Sequence, residues 1–349
     1  MPLNIEQIFY SFITSFSITF LAMPSIITVA KLKNLYDEPG GRKIHKTRIP
    51  NLGGIGILAG LIFSISFWVN FSLDAKIQYL ITAITIMAFL GIKDDIVGLS
   101  PFKKFMGQIF TAFILVIWGD YRISSLYGIF NIGELPYIVS VLFTVLTIII
   151  IINSFNLIDG INGLSGTIAL LTSLIFGTWF YMANPNSQLA IVAFALTGSL
   201  IAFLRFNVTP AKIFMGDTGS LILGVMLAVF AIEFIEINKT YRGVYYINSS
   251  PIVAIGILII PLFDLLRSFS IRIYHKRSPF SADRNHLHHI LVDLGLSHSF
   301  AVVVLLLFNI VIITFVFVFR NYGNYILGTA ILLISILAAH FIQKKLKNK

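Results

Sequence analysis

Eleven apolar runs divide this chain, at 8–30, 52–72, 77–92, 105–119, 136–153, 161–183, 187–205, 219–237, 251–273, 299–319 and 324–343. A helix needs roughly 17–25 apolar residues to cross a bilayer. The third and fourth runs reach that length only by extending into flanking polar residues. None shows the ten-residue alternation of an outer-membrane barrel strand, so helices are expected. Of 349 residues, 57% are hydrophobic and 11% charged, against about 25% charged for a soluble domain. Lipid must therefore be the solvent for much of the surface. The expectation is an all-α polytopic membrane protein with about eleven transmembrane helices, built as one domain over 1–349.

The absence of cysteine excludes disulfides, thiolate chemistry and Cys-ligated metal centres. The net charge of +10 fits nucleic-acid binding in the abstract. In a chain this apolar it reports loops facing an anionic cytoplasmic leaflet, and no nucleic-acid partner is expected. The first positive charge is Lys31, after an apolar run too long for a signal-peptide core, so no cleaved leader is expected.

Lysine and arginine set the orientation. With the N-terminus outside and the C-terminus cytoplasmic, 20 of the 25 cations fall on inside segments. The other 5 are Lys76, Arg122, Lys239, Arg242 and Arg320. The expected location is a membrane whose inside segments face the cytoplasm, with the site on that face. Outside loops such as 70–76 and 183–189 read as short or bland. The inside loops, at 31–51, 93–104, 153–163, 205–220 and 274–298, collect Asp, Asn, His and Gly.

The first inside loop runs from Asp37 to Gly54 and interleaves cations with Gly and Pro. Arg42, Lys43 and His45 are its candidate substrate contacts, although alone it reads more simply as headgroup contact. The second carries Lys93-Asp94-Asp95 and then Lys103-Lys104. Two carboxylates at a membrane boundary are costly unless they meet a cation or handle protons. The third is Asn153-Ser154-Phe155-Asn156-Leu157-Ile158-Asp159-Gly160-Ile161-Asn162-Gly163. Asn156, Asp159 and Asn162 are spaced by three, which on a helical turn gives one oxygen-bearing face suited to Mg²⁺.

The fourth inside loop, Phe214-Met215-Gly216-Asp217-Thr218-Gly219-Ser220, enters the eighth run. A helix starting there offers free N–H groups to an anion, beside an Asp able to hold a metal. The fifth is Asp283-Arg284-Asn285-His286-Leu287-His288-His289. Without cysteine or a second ligand cluster, its histidines fit phosphate binding or proton passage better than zinc. Asp264 and Arg267, an i, i+3 pair in the ninth run, read as a structural ion pair.

Carboxylates, cations, a Mg²⁺-friendly face and an anion-friendly helix start at one membrane face fit phosphoryl transfer between a soluble nucleotide and a lipid-borne phosphate. The competing reading is a proton-coupled transporter with an Asp/His relay, which predicts ionisable residues in mid-span, on both sides of the membrane.

In the order and spacing of these five loops the chain resembles the polyprenyl-phosphate N-acetylhexosamine-1-phosphate transferases, glycosyl transferase family 4. The Asp283-Arg284 and His286-Leu287-His288-His289 form is similar to the branch that transfers N-acetylglucosamine 1-phosphate to undecaprenyl phosphate. The branch transferring phospho-N-acetylmuramoyl-pentapeptide usually shows three consecutive histidines and then Phe-Glu. The resemblance implies a UDP-N-acetylhexosamine donor, an undecaprenyl phosphate acceptor, release of UMP, and Mg²⁺ replaceable by Mn²⁺. It also implies a homodimer as an available assembly, and a product that starts an envelope polysaccharide.

Carried onto this sequence, the resemblance makes Asp217 a Mg²⁺ ligand with Asn156 as its partner. It puts Phe214 on the uracil ring and Asn162 in hydrogen bond to it. Asp94 and Asp95 serve the lipid-phosphate nucleophile, with Asp94 the favoured base, and Asp159 matches a further acidic position. Lys104 contacts phosphate, while Arg284, His286, His288 and His289 hold the diphosphate or the sugar. Many bacterial members carry Asp where this chain has Asn162.

Overall fold

The computed structural model describes residues 5–37, 49–183, 187–278 and 285–347. It is a helical bundle, and its apolar pattern shows which helices lie inside. Every residue of α8 (Gly216–Thr240) from Thr218 to Ile235 is buried. A helix apolar all round belongs at the centre of the packing. The helices α3 (Ile77–Val97) and α5 (Tyr137–Ile158) flank it, and α2 (Gly53–Trp68) and α6 (Leu164–Ala183) complete its shell. The first helix, α1 (Ile5–Leu32), packs on α2 and α7 (Leu189–Asn207) and leaves Phe9, Ile13, Phe20 and Leu21 exposed to lipid.

Each of the eleven runs is helical. Among the described residues, however, seven helices are long and apolar enough to span, or eight if one bent pair counts as a single span. For three of the four runs that fall short the cause is local. At 16 residues, α2 is only about 24 Å long. The fourth run is split between α4 (Pro101–Phe113) and a π-helical turn, Ile114–Trp118. The ninth is the bent pair, α9 (Ser250–Ile257) and α10 (Ile259–Tyr274), which meet at 82°. The polytopic all-α architecture stands.

Beyond α10 a short helix, α11 (Leu287–Asp293), leads to α12 (His298–Val318) and α13 (Asn324–Lys347). The only strands among the described residues are β1 (Tyr36–Asp37) and β2 (Ile49–Pro50), an antiparallel pair that closes the first inside loop. That loop is stitched to the start of α8 by three backbone bonds: Phe214 N–H to Pro50 O at 2.7 Å, and Gly53 and Gly54 N–H to Phe214 and Met215 O at 2.9 Å each.

The contact between α3 and α8 depends on Gly91. A Cβ there would lie 2.4 Å from Thr218 Cα and 2.5 Å from Thr218 N, closer than unbonded atoms can approach. The obstacle is backbone and cannot rotate away. Gly91→Ala is expected to lose about 1–3 kcal/mol through overpacking. Thermal unfolding of the purified variant in detergent checks this, and an unchanged melting temperature would show that the helices can separate freely.

Candidate active site

The first turn of α8 leaves N–H groups with no partner inside the helix. Asp95, on the last turn of α3, takes them. Its Oδ1 accepts from Asp217 N–H at 2.8 Å, and its Oδ2 from Thr218 N–H at 3.0 Å and Thr218 Oγ1 at 2.6 Å. Asn51 Nδ2 donates to Oδ1 at 3.4 Å. The anion at this helix start is thus the protein's own carboxylate. Asp95 caps α8 from another helix and fixes where Asp217 sits.

Asp94 faces different partners. It accepts from Leu99 N–H at 2.6 Å, and its Oδ2 lies 3.0 Å from Lys104 Nζ. The same ammonium is 2.7 Å from Asp217 Oδ1. Asn156 Nδ2 donates to Asp217 Oδ1 and, at 3.0 Å, to Ser220 Oγ. One cation therefore bridges two carboxylates from α3 and α8, with an amide from α5 beside them. Lys104 is held by its helix: Pro101 opens α4 and the Ser100 side chain caps it, accepting from Lys103 N–H.

One turn deeper, Gln108 and Asn153 exchange amide hydrogen bonds. Asn153 Nδ2 donates to Gln108 Oε1 at 2.8 Å, and Gln108 Nε2 returns a bond at 3.4 Å. Gln108 is four residues after Lys104 and Asn153 three before Asn156. The pair therefore locks α4 to α5 directly beneath the two site residues. The sequence shows both amides inside apolar runs, which is the only sign of their role.

The Asn156, Asp159 and Asn162 face does not form. α5 ends at Ile158, with Asp159 as its C-cap, and the chain turns through Gly160 and Gly163. Each residue finds a separate partner. Asn156 reaches Asp217, Ser165 Oγ donates to Asp159, and Asn162 Nδ2 meets Thr209 Oγ1 at 3.4 Å. The turn is held by Asn207, which the sequence reading passed over. Its Oδ1 accepts from Gly163 N–H and its Nδ2 donates to Ile213 O, both at 2.8 Å. Asp159 retains some exposure as a residue, but its carboxyl lies deep, and burial pushes its pKa up to about 8.

The histidines divide. His286 is buried in a brace: its Nδ1 lies 2.8 Å from Asp264 Oδ2 and 3.2 Å from Ser268 Oγ, and its Nε2 lies 3.3 Å from Arg272. Asp264 Oδ1 also accepts from Leu287 N–H at 2.8 Å, so it caps α11. Its ion pair with Arg267 is longer, at 3.9 Å. His288 is 1% exposed, and burial lowers its pKa to about 3, so it is neutral. Its Nε2 lies against Gly160, where a Cβ would come within 2.3 Å. His289 is less buried, its ring 4.2 Å from that of His288. Phe214, half-buried, is pinned by its backbone to Pro50 and Gly53. Arg42, Lys43, His45 and Arg284 lie outside the described residues.

Asn51 Oδ1, Asn162 Oδ1 and His288 Nε2 are buried at this face with no hydrogen-bond partner among the described residues. Unsatisfied buried polar atoms are costly, and a ligand is one way to satisfy them. No group of three or more acidic, His or Cys side chains is poised for a metal among the described residues. Two carboxylates already sharing a cation are nevertheless the donor set Mg²⁺ uses, since it keeps waters and substrate phosphates as its other ligands. Between Thr218 and Ile232 α8 carries no ionisable residue, so no relay along it leads away from the site.

The model of glycosyl transferase family 4 matches residues 77–235. The chain is 30% identical to the "Probable undecaprenyl-phosphate N-acetylglucosaminyl 1-phosphate transferase" of Bacillus subtilis (strain 168), over 87% of this chain and 83% of the relative. It is 29% identical to the decaprenyl-phosphate N-acetylglucosaminephosphotransferase of Mycobacterium leprae, over 92% and 87% of the two chains. The undecaprenyl-phosphate alpha-N-acetylglucosaminyl 1-phosphate transferase of Escherichia coli O157:H7 is also 29% identical, over 87% and 82%.

Two outcomes follow from the site itself. Asp95→Ala strips the cap from α8 and is expected to cost about 2 kcal/mol, since a carboxylate–amide bond is worth 1.5–3. A melting temperature equal to that of the parent would remove the capping role. Asp159 has a folded pKa of about 8, above the unfolded value of about 4. The folded chain thus holds a proton that the unfolded chain releases. Its contribution to stability is complete below about pH 4 and is lost as pH rises towards 8. Thermal melts should fall less with rising pH in Asp159→Asn than in the parent, and parallel curves would contradict the buried, protonated carboxyl.

Proposed function

Because the chain belongs to glycosyl transferase family 4, we propose that it transfers N-acetylglucosamine 1-phosphate, or a closely related N-acetylhexosamine 1-phosphate, from a UDP-sugar to undecaprenyl phosphate. It is a sugar-phosphate transferase of lipid carriers, as its relatives are named. The observation that carries the finer reading is the Lys104 ammonium shared by Asp94 and Asp217 at 3.0 and 2.7 Å, with Asn156 alongside. A cation between two carboxylates at a membrane edge suits a diphosphate brought up from water to a phosphate carried in lipid. The biased cations favour an outside N-terminus, eleven crossings and a cytoplasmic site in a bacterial inner membrane.

The reaction is a single displacement. An oxygen of the lipid phosphate forms a bond to the phosphorus bearing the sugar, the diphosphate bridge to the nucleotide breaks, and UMP leaves. A phosphate monoester has its second pKa near 6, so the nucleophile is already largely ionised at neutral pH. Asp94, fixed by Leu99 and Lys104, orients that phosphate and takes up any remaining proton. Lys104 balances negative charge as the bridge breaks. Asn162 Oδ1, buried without a partner among the described residues, accepts the N–H of the uracil ring, and Phe214, five residues after the Thr209 that Asn162 meets, stacks on it. Neutral His288 offers Nε2 to the sugar or diphosphate without adding charge. Mg²⁺, or Mn²⁺ in its place, held by Asp217 with Asp94 and Asn156 beside it, supplies charge neutralisation at the diphosphate when bound.

The test is release of labelled UMP from UDP-N-acetylglucosamine by membranes containing the chain, with and without Mg²⁺ and undecaprenyl phosphate. Release that needs both is expected. Lys104→Met and Asp217→Asn should each lower kcat by about 100-fold, the scale of losing one electrostatic contact to a transition state. No Mg²⁺-dependent release from any of several UDP-sugars would overturn the reading.

A further inference from the structure

The segments away from the site carry five cations, Lys76, Arg122, Lys239, Arg242 and Arg320. Three of them converge. Lys76, Arg122 and Lys239 line one cavity of about 550 Å³ at the far end of α8, together with Asp120, Glu134, Glu233 and Glu236. Glu233 is 16 residues along α8 from Asp217, which puts it about 24 Å away at 1.5 Å per residue. The sequence spreads these charges over three segments, one on the first and three on each of the others. The chain brings them together from the start of α3, the end of α8 and the segment before α5.

We infer that this far cavity is a second binding site, and that it holds the headgroup of a zwitterionic phospholipid, a phosphate diester with an ammonium a few atoms away. Both signs line it in near balance. A simple anion would meet four carboxylates and a simple cation three positive groups, whereas a ligand carrying both charges meets a partner for each.

The contacts within the wall leave room for such a ligand. Arg122 uses Nε towards Asp120 at 3.4 Å and Nη1 towards Ser140 Oγ at 3.0 Å, two of its five N–H donors. Its guanidinium carbon lies over the Tyr137 ring, 5.0 Å from the centroid, and a guanidinium is the fork that suits a phosphate. Lys239 spends two donors, on Glu134 and Ser124, both at 2.7 Å. Glu236 accepts one bond on each oxygen from Ser124, from its N–H and its Oγ, both at 2.7 Å. Glu233 gives Oε1 to Lys76 at 3.2 Å, and its Oε2 is left for an ammonium.

The surroundings favour a lipid over a free zwitterion. Tyr137 lines the cavity and begins α5. The next residue, turned about 100° from it, is Ile138, and Ile138, Leu142 and Leu146 are 71%, 57% and 55% exposed. Spaced by four, they form one stripe down a spanning helix. A headgroup in the cavity lays its acyl chains along that stripe.

Native mass spectrometry of the purified full chain tests this, with phosphatidylethanolamine, phosphatidylglycerol and the chain-free glycerophosphoethanolamine as probes. Phosphatidylethanolamine should be retained about fivefold more than phosphatidylglycerol, the effect of one charge contact at a membrane surface. Arg122→Ala should weaken retention of both phospholipids, and Glu233→Gln, nearly isosteric, should bring their ratio to one. UMP release by each variant reports that it is folded. Equal retention of the two lipids by the parent chain would overturn the proposal. So would ratios and retention unchanged in both variants, or displacement of phosphatidylethanolamine by an equal concentration of glycerophosphoethanolamine.

Discussion

A buried helix start needs its free N–H groups satisfied, and the site is built around how α8 meets that demand. Gly54, Gly91 and Thr218 are buried where α2, α3 and α8 meet, and no side chain of α8 itself caps the helix. The carboxylate of Asp95 does so from α3, with bonds of 2.6–3.0 Å. The same bonds set the height and rotation of α8 relative to α3. That in turn sets the distance from Asp217 on one helix to Asp94 on the other. Gly91 permits the approach and the backbone bonds from Pro50, Gly53 and Gly54 hold the opposite side.

Adjacent aspartates thus do different work. Asp95 is consumed by the backbone of α8. Asp94 is one residue earlier and therefore turned about 100° around the helix, which brings it to Lys104 and the shared cluster. The polar residues behind the cluster follow one pattern: each closes a distance between two helices or turns. Gln108 and Asn153 join α4 to α5, Asn207 joins the 159–163 turn to the 208–215 segment, and Asp264 with His286 joins α10 to α11. In a low-dielectric setting such fully paired contacts hold their members firmly, because breaking one leaves an unsatisfied buried group.

Much of this was legible in the sequence, because a bilayer leaves a chain few choices. The helical class follows from backbone hydrogen bonding alone. The clustering of Asp94, Lys104, Asn156 and Asp217 is anticipated by loops placed on one side by their cations. Less legible were the lengths at which runs become spans. A count of apolar residues does not see the π turn that splits the fourth run or the 82° bend in the ninth. The spacing of three in Asn156, Asp159 and Asn162 misled for a related reason: periodicity assumes that the helix continues, and α5 stops at Ile158.

The sequence by itself determined the solvent, the helical class and which loops share a face, since hydropathy and charge act residue by residue. Only the tertiary structure decided which carboxylate caps a helix and which meets a cation. It also decided that His286 braces while His288 stays neutral, and that bland far loops assemble a charged cavity. These depend on what stands opposite each side chain across a helix contact, and no spacing along one segment records its neighbour on another.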